Sequence, residues 1–353
     1  MRKRFLLAAP LLLAAGARAQ PAPAQRVRAM MTGELETLGV DRDASARVFN
    51  AAFPVPEPIA ESDEDAAAEP GADPDKPLDG NDAPYRIKKN GTVTDCKTVA
   101  GPKRWKYCVT VTEGSSNHTI LYFLHGHGHN AEGWINSGDY KKRVREDWKA
   151  AGIQPPIVVT VSFGGFWLLV EKNSSERSGL LEYFTDSMMP LIEKDLPKDG
   201  SPRRRLMGES MGGFNAAQVV LRDPRSFERA VLACPAVAHI SPFATPEQIA
   251  AYKNAPGVSP FKVWLMLHLS HKLFKTEADW AQSDPFVLGQ TRFSPSTPKL
   301  LISAGDRDSY GLYRSIGEFA SLARERGVDV AFNDLHGGHC SADPAAIARF
   351  LAP

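Results

Sequence analysis

From about residue 85 onward, short apolar runs alternate with segments of helical period. Tyr107 to Thr112 alternates as a strand. Thr119 to Leu124 is a continuous apolar run ending at His125-Gly126, and Ile157 to Val161 is a second, ending at Ser162-Phe163-Gly164-Gly165. Leu180, Phe184, Met188, Leu191 and Ile192 share one side of a predicted helix over residues 180–196. Arg205 to Met207 leads into Gly208, Phe214 to Leu221 reads as a helix stopped at Asp223-Pro224, and Ala230 to Ala233 as the next strand. Lys299 to Ser303 and Val328 to Asn333 follow as strands around a helix over Tyr313 to Arg326, and Ala345 to Leu351 closes the chain as a helix. Apolar strands separated by helices imply an α/β class, with a mostly parallel central sheet covered by helices on both faces. Between about 238 and 296 the rhythm breaks. Trp264, Trp280, several prolines and a run from Phe261 to Phe274 predict a helical insertion, a lid-like element after the sixth strand. Insertions at strand ends commonly cover a ligand crevice.

The first 84 residues differ. Arg2, Lys3 and Arg4 precede an apolar stretch from Phe5 to Ala15, and Ala17-Arg18-Ala19 has the small-x-small form of a cleavage site. Residues 1–19 therefore read as a signal peptide, with export to the periplasm or beyond. The apolar stretch is too short to cross a bilayer, which takes ~20 residues, so no stable membrane anchor is expected. Residues 20–53 read as a helical segment carrying Val27, Met30, Met31, Leu35 and Leu38. Over residues 54–84 prolines alternate with Glu, Asp and Ala, a composition that buries too little apolar surface to offset its ordering entropy; a disordered linker is expected. Residues 85–353 form the predicted catalytic domain.

Composition narrows the partners. A formal net charge of +1 argues against nucleic acid, which calls for a basic excess. The one sharp basic run, Arg203-Arg204-Arg205, reads as a solvated turn before a strand. Export makes disulfides available to Cys96, Cys108, Cys234 and Cys340. Cys96 and Cys108 flank an apparent hairpin that a bond would bridge, leaving Cys234 and Cys340 to pair; four cysteines allow three connectivities.

The chemistry concentrates at Gly208-Glu209-Ser210-Met211-Gly212-Gly213, a G-x-S-x-G pattern between a predicted strand and a predicted helix. A serine on so sharp a turn projects its hydroxyl from the sheet, and the glycines remove crowding there. Serine needs a base. His336 and His339 follow the last strand, and the two glycines before His339 favour it as the one that swings toward Ser210. The acid is sought after the preceding strand, in Gly305-Asp306-Arg307-Asp308; Asp308 is favoured and Asp306 competes. The order Ser, Asp, His is that of the α/β-hydrolase fold. The oxyanion hole is expected from the main chain of Met211 and of His127, in the loop His125-Gly126-His127-Gly128-His129. These alternating histidines raise a metal reading, but the glycines between them make the segment a turn, no obvious carboxylate or cysteine partner stands out, and no metal is expected.

Taken together these residues resemble the putative-esterase family of α/β hydrolases, which includes feruloyl esterases, S-formylglutathione hydrolases, enterochelin-type esterases and mycolyltransferases. The resemblance covers roughly residues 90–351. It rests on Tyr122 to Gly126, Phe184 with Met189 to Glu193, Gly208 to Gly213, Leu221 to Phe227 with Cys234-Pro235-Ala236, Gly305 with Asp308, and Gly338-His339. It implies Ser210, Asp308 and His339 as a catalytic triad, an acyl-serine intermediate, no cofactor, and a small-molecule or carbohydrate-linked carboxylic ester as substrate. Trp167, Glu209 and His336 are candidates to line the substrate pocket. An acyltransferase using the same intermediate and a non-catalytic binding protein on the same fold are the alternatives. The chain departs from the family's usual pattern after the histidine, where Cys340-Ser341-Ala342 stands.

Overall fold

The structure is a computed structural model that describes residues 83–352, apart from residues 90, 102, 137–139 and 198–201. The signal peptide, the N-terminal helical segment and nearly all of the Pro-rich linker lie outside the described residues.

Nine strands form a single sheet in the order β1-β2-β3-β5-β4-β6-β7-β8-β9. β1 (Tyr85–Lys89), β2 (Thr92–Val99) and β3 (Trp105–Thr112) make an antiparallel meander, and β3 joins β5 (Ile157–Ser162) antiparallel. From there β4 (Ile120–Leu124), β6 (Arg204–Glu209), β7 (Arg229–Ala233), β8 (Lys299–Gly305) and β9 (Val330–Leu335) continue in parallel. β4 and β5 are buried at every position, as expected of parallel strands covered on both faces. In the meander, Cys96 stands directly opposite Cys108, and the two are bonded.

Alternate side chains of the central strands build the two faces. Leu121, Phe123, Val158, Met207, Val231 and Leu301 pack against α1 (Gly133–Asn136), α2 (Tyr140–Ala150) and α10 (Pro344–Phe350). Tyr140, Val144 and Trp148 mark the buried stripe of α2 at four-residue spacing, and Trp148 Nε1 donates to Ala348 O of α10 at 2.9 Å. On the opposite face, the Tyr122 ring meets Phe184 and Phe227 edge-on. Phe184 belongs to α3, a continuous helix over residues 180–193. One turn of α3 is widened, so that the Met189 N–H reaches back to Phe184 O. The next residue, Pro190, has no N–H to continue a regular ladder. Helix α4 (Met211–Arg222) is buried from Met211 to Leu221, packed on β6 and β7 and covered by a helix of the insertion.

That insertion folds as α5 (Pro246–Lys253), α6 (Pro260–Ser270), α7 (Glu277–Ala281) and α8 (Pro285–Arg292), before α9 (Tyr313–Glu325) joins β8 to β9. Thr245 and Thr276 open α5 and α7 with reciprocal side-chain caps. The insertion follows β7, the seventh strand of the described residues, rather than the sixth. The arginine run also differs from expectation. Arg204 and Arg205 lie within β6, not in a solvated turn, and Arg205 is fully buried. Its guanidinium donates to Leu351 O at the C-terminal end of α10, where helix carbonyls lack partners and the dipole favours a cation. Arg204 makes a paired contact with Glu193 at 2.6 and 2.7 Å.

Candidate active site

The parallel strands end together at Leu124, Glu209, Ala233, Gly305 and Leu335, and the loops beyond them converge. Such carboxyl-end crevices are where open α/β sheets bind ligands. Ser210 sits in the turn from β6 to α4 with φ 52° and ψ −115°, a conformation costly for a residue with a Cβ. The turn is held from three sides: Ser210 N donates to Ala233 O, and Ser210 O accepts from the N–H groups of Phe214 and Ala236, each at 3.0 Å. It requires glycine beside it. A Cβ on Gly208 would stand 2.0 Å from Gly212 O, and one on Gly212 would stand 1.9 Å from Leu124 O.

Ser210 Oγ lies 2.9 Å from His339 Nε2, and His339 Nδ1 lies 2.7 Å from Asp308 Oδ2. A carboxylate only accepts, so Nδ1 carries the proton and Nε2 is left to accept from the serine hydroxyl. Asp308 and His339 are both buried. The other oxygen of Asp308 accepts from Tyr310 N at 2.7 Å. Asp306, the competing acid, turns away: it takes His336 Nδ1 at 2.9 Å and Gly337 N at 3.0 Å, tying the β8 loop to the β9 loop. These two bonds hold the Asp306 carboxyl below its ordinary range, the Gly337 N–H contributing most. The loops touch so closely that a Cβ on Gly305 would meet Gly338 O at 2.1 Å. A disulfide from Cys340 to Cys234 anchors the residue after His339 to the end of β7.

The insertion braces the acid loop. Tyr252 of α5 donates to the carbonyls of Tyr310 and Gly311 at 3.1 and 2.9 Å, and Lys262 of α6 donates to Ser309 Oγ at 2.8 Å. The Tyr310 ring packs 4.6 Å from the His339 ring, centroid to centroid. None of Tyr252, Lys262 or Tyr310 is marked by a motif, because each acts from an element whose path a linear pattern does not reveal.

The loop after β4 closes the other side. Gly128 N donates to Gly165 O at 2.9 Å, and Gly126 N to Glu209 Oε1 at 3.4 Å. His127 and Met211 line a cavity that opens on Ser210 and His339. The three histidines of this loop have separate surroundings. His125 is wholly buried: its Nδ1 contacts Gly126 O, and its Nε2 accepts from Ser162 Oγ at 2.9 Å and from Trp167 Nε1 at 3.3 Å. Burial pushes its pKa down to about 4, so it stays neutral. The His127 ring faces Phe166, and His129 Nδ1 lies 3.7 Å from Glu209. Among the described residues, the one cluster of ligand-type atoms is Cys234, His339 and Cys340. Its two sulfurs are bonded to each other and are not thiolates.

The three residues expected to line the pocket lie elsewhere. The Trp167 indole is spent on His125, and His336 is exposed and held by Asp306. Glu209 points beneath the turn, into the protein. There it accepts from Lys141 Nζ at 2.7 Å and Tyr140 OH at 2.6 Å. Burial alone would raise the Glu209 carboxyl, but the Lys141 ammonium and these hydrogen bonds overcome it and hold it at about 2. Both charges are buried, so they depend on each other.

Lys141→Met is therefore expected to cost about 3–5 kcal/mol at pH 7, measured by urea denaturation, because it strands a buried carboxylate. A group with a depressed folded pKa gives stability that is complete above its unfolded value, near 4.5, and is lost as pH falls toward about 2. The gap between native and variant protein should thus shrink across that window. A gap that stays constant from pH 6 to pH 3 would exclude the Glu209 charge as its source.

The family model described as Putative esterase matches residues 102–343. No curated protein matches the chain by sequence. Among solved structures, a ferulic acid esterase superposes with a TM-score of 0.53 at 18% identity, over 73% of this chain and 93% of its own. An S-formylglutathione hydrolase from Agrobacterium tumefaciens gives 0.52 at 19% identity, over 75% and 94%. Brefeldin A esterase, a bacterial homologue of human hormone-sensitive lipase, gives 0.51 at 18%, over 97% and 83%. At these identities the likeness is one of fold, the α/β-hydrolase fold.

Proposed function

The chain belongs to the putative-esterase family and is a carboxylic ester hydrolase, and from that premise we propose that Ser210, His339 and Asp308 carry the reaction through an acyl-serine intermediate. The observation that supports this most is the unbroken hydrogen-bond chain from Asp308 through His339 to Ser210, at 2.7 and 2.9 Å.

Ser210 Oγ attacks the ester carbonyl carbon while His339 Nε2 takes its proton. The carbonyl electron pair moves onto oxygen, where the main-chain N–H groups of Met211 and His127 receive it; the first also lies at the positive end of α4. The tetrahedral species collapses, the bond to the alcohol oxygen breaks, and His339 returns the proton to the departing alkoxide. Water then occupies the alcohol's position, gives a proton to His339 and attacks the acyl carbon. Ser210 leaves with that proton. One ester and one water become one acid and one alcohol. Asp308 keeps Nδ1 protonated and steadies the imidazolium that forms twice per cycle.

We also place the enzyme outside the cytoplasm. Two disulfides support this, since reducing compartments disfavour them. Among the described residues, no helix is long and apolar enough to cross a membrane.

An alkyl fluorophosphonate tests the mechanism directly. Phosphonylation of one serine per chain, mapped by mass spectrometry to the peptide carrying Ser210 and accompanied by loss of esterase activity, is the expected result. Full activity with no label on Ser210 would overturn it.

A further inference from the structure

The cavity beside Ser210 has a composition that bears on the substrate. Ser210, His339, His127 and Met211 are among the residues that line it. Its walls also include Leu168, Ile240, Leu265, Met266, Leu269 and Trp280, and among the described residues no Asp, Glu, Lys or Arg lines it. Ser270, one of the few polar groups there, donates its hydroxyl to Met266 O at 2.8 Å, within its own helix. A charged group or a sugar ring placed inside would give up its hydrogen bonds to water and find few in return. Apolar carbon loses nothing there and leaves water.

The reaction decides which half of the ester this space suits. The alcohol must depart after the first step and be replaced by water, so its side needs access to solvent. The acyl group remains bound to Ser210 through both steps, so an apolar, walled cavity suits the half that stays. The size follows from its volume of about 80 Å³. A water-sized sphere itself fills about 10–15 Å³, so the cavity admits a chain of at least about five heavy atoms.

We propose that this cavity is an acyl-binding pocket selecting uncharged aliphatic acyl groups of at least about four carbons over acetyl, with any carbohydrate confined to the alcohol side of the ester. The proposal rests on the esterase reading of Ser210. Its selectivity is carried by the insertion: Leu265, Met266 and Leu269 come from α6, so the same segment that braces the acid loop through Lys262 also walls the pocket.

The test is a series of p-nitrophenyl esters, from acetyl through butyryl, hexanoyl and octanoyl to dodecanoyl, with one leaving group throughout. Each methylene buried should raise kcat/KM about three- to fourfold until the pocket is full. Hexanoyl should therefore exceed acetyl by at least about tenfold. In Met266→Trp and Leu265→Trp the ratio of hexanoyl to acetyl kcat/KM should drop about tenfold, because the indole occupies the space of several methylenes. Since the ratio compares two substrates of the same folded molecules, partial misfolding of a variant does not mimic the effect. Acetyl matching or exceeding hexanoyl in the native enzyme, or a ratio unmoved by both variants, overturns the pocket while leaving the esterase intact. Failure to cleave any member of the series overturns the esterase reading and the pocket with it.

Discussion

Ser210→Ala is expected to lower kcat for a p-nitrophenyl ester by about 10⁵-fold or more, with the fold retained. The size comes from cooperation. His339 is a useful base only because a hydroxyl stands 2.9 Å from its Nε2, and Asp308 matters only through His339. Removing the serine therefore idles the other two, and adding His339→Ala to the first variant should cost almost nothing further. Alanine keeps the Cβ, so the cost of φ 52° and the three backbone hydrogen bonds around the turn persist. The thermal midpoint should change by no more than a few degrees, about what ~1 kcal/mol produces in a domain of this size. What the variant retains is the binding site and the oxyanion donors, and these alone leave some acceleration over water. A fall of less than about a hundredfold would mean that another nucleophile does the work.

Much of this site was legible before any coordinates. The G-x-S-x-G segment carries its own geometry, because a strand feeding a helix through flanking glycines leaves the serine few conformations. The acid and base could be placed by topology, each following a strand end. In the sequence only loop position favours Asp308 over Asp306, and in the structure the two carboxylates face different partners. Asp306 is committed to Gly337 N and His336, the two groups that fasten the loops together. Strand positions were equally readable where both faces are buried, as in β4 and β5, because continuous apolar runs of that length have few other uses.

What sequence could not show is who answers a buried charge. Arg205 and Lys141 look solvated in a linear pattern, since both sit among charged neighbours. Each is buried because a partner arrives from far along the chain: Leu351 O for Arg205 and the Glu209 carboxylate for Lys141. Glu209 itself seemed a pocket residue through its position beside Ser210. In this turn the side chain before the serine points away from the cavity, down toward α2. The stripe of Tyr140, Val144 and Trp148 along α2 is hidden in the linear sequence by the charged residues between them. Trp167 illustrates the same limit. An aromatic near a crevice suggests a pocket, but its indole N–H instead completes the hydrogen bonding of buried His125.

Asp308→Asn should lower kcat by about 10⁴-fold, and Asp306→Asn by less than about tenfold. The first substitution hardly changes shape, so its effect isolates one proton. A carboxylate at 2.7 Å obliges His339 Nδ1 to hold its hydrogen and leaves Nε2 free to receive the serine proton. An asparagine amide turned to donate toward Nδ1 stabilises the opposite tautomer, in which Nε2 already carries hydrogen and cannot act as base. The imidazolium formed during each step also loses its counter-charge. Asp306 faces different groups. Its asparagine variant keeps a carbonyl for the Gly337 N–H, so the loops stay joined by a weaker bond and the loss falls mainly on stability. The comparison is made by kcat on a single ester, with thermal midpoints measured alongside to separate unfolding from chemistry. If Asp306→Asn proved the more damaging of the two for kcat at matched stability, the acid would have been assigned to the wrong carboxylate. The 2.7 Å contact between Asp308 and His339 would then be a packing feature of the loop and not the source of the base.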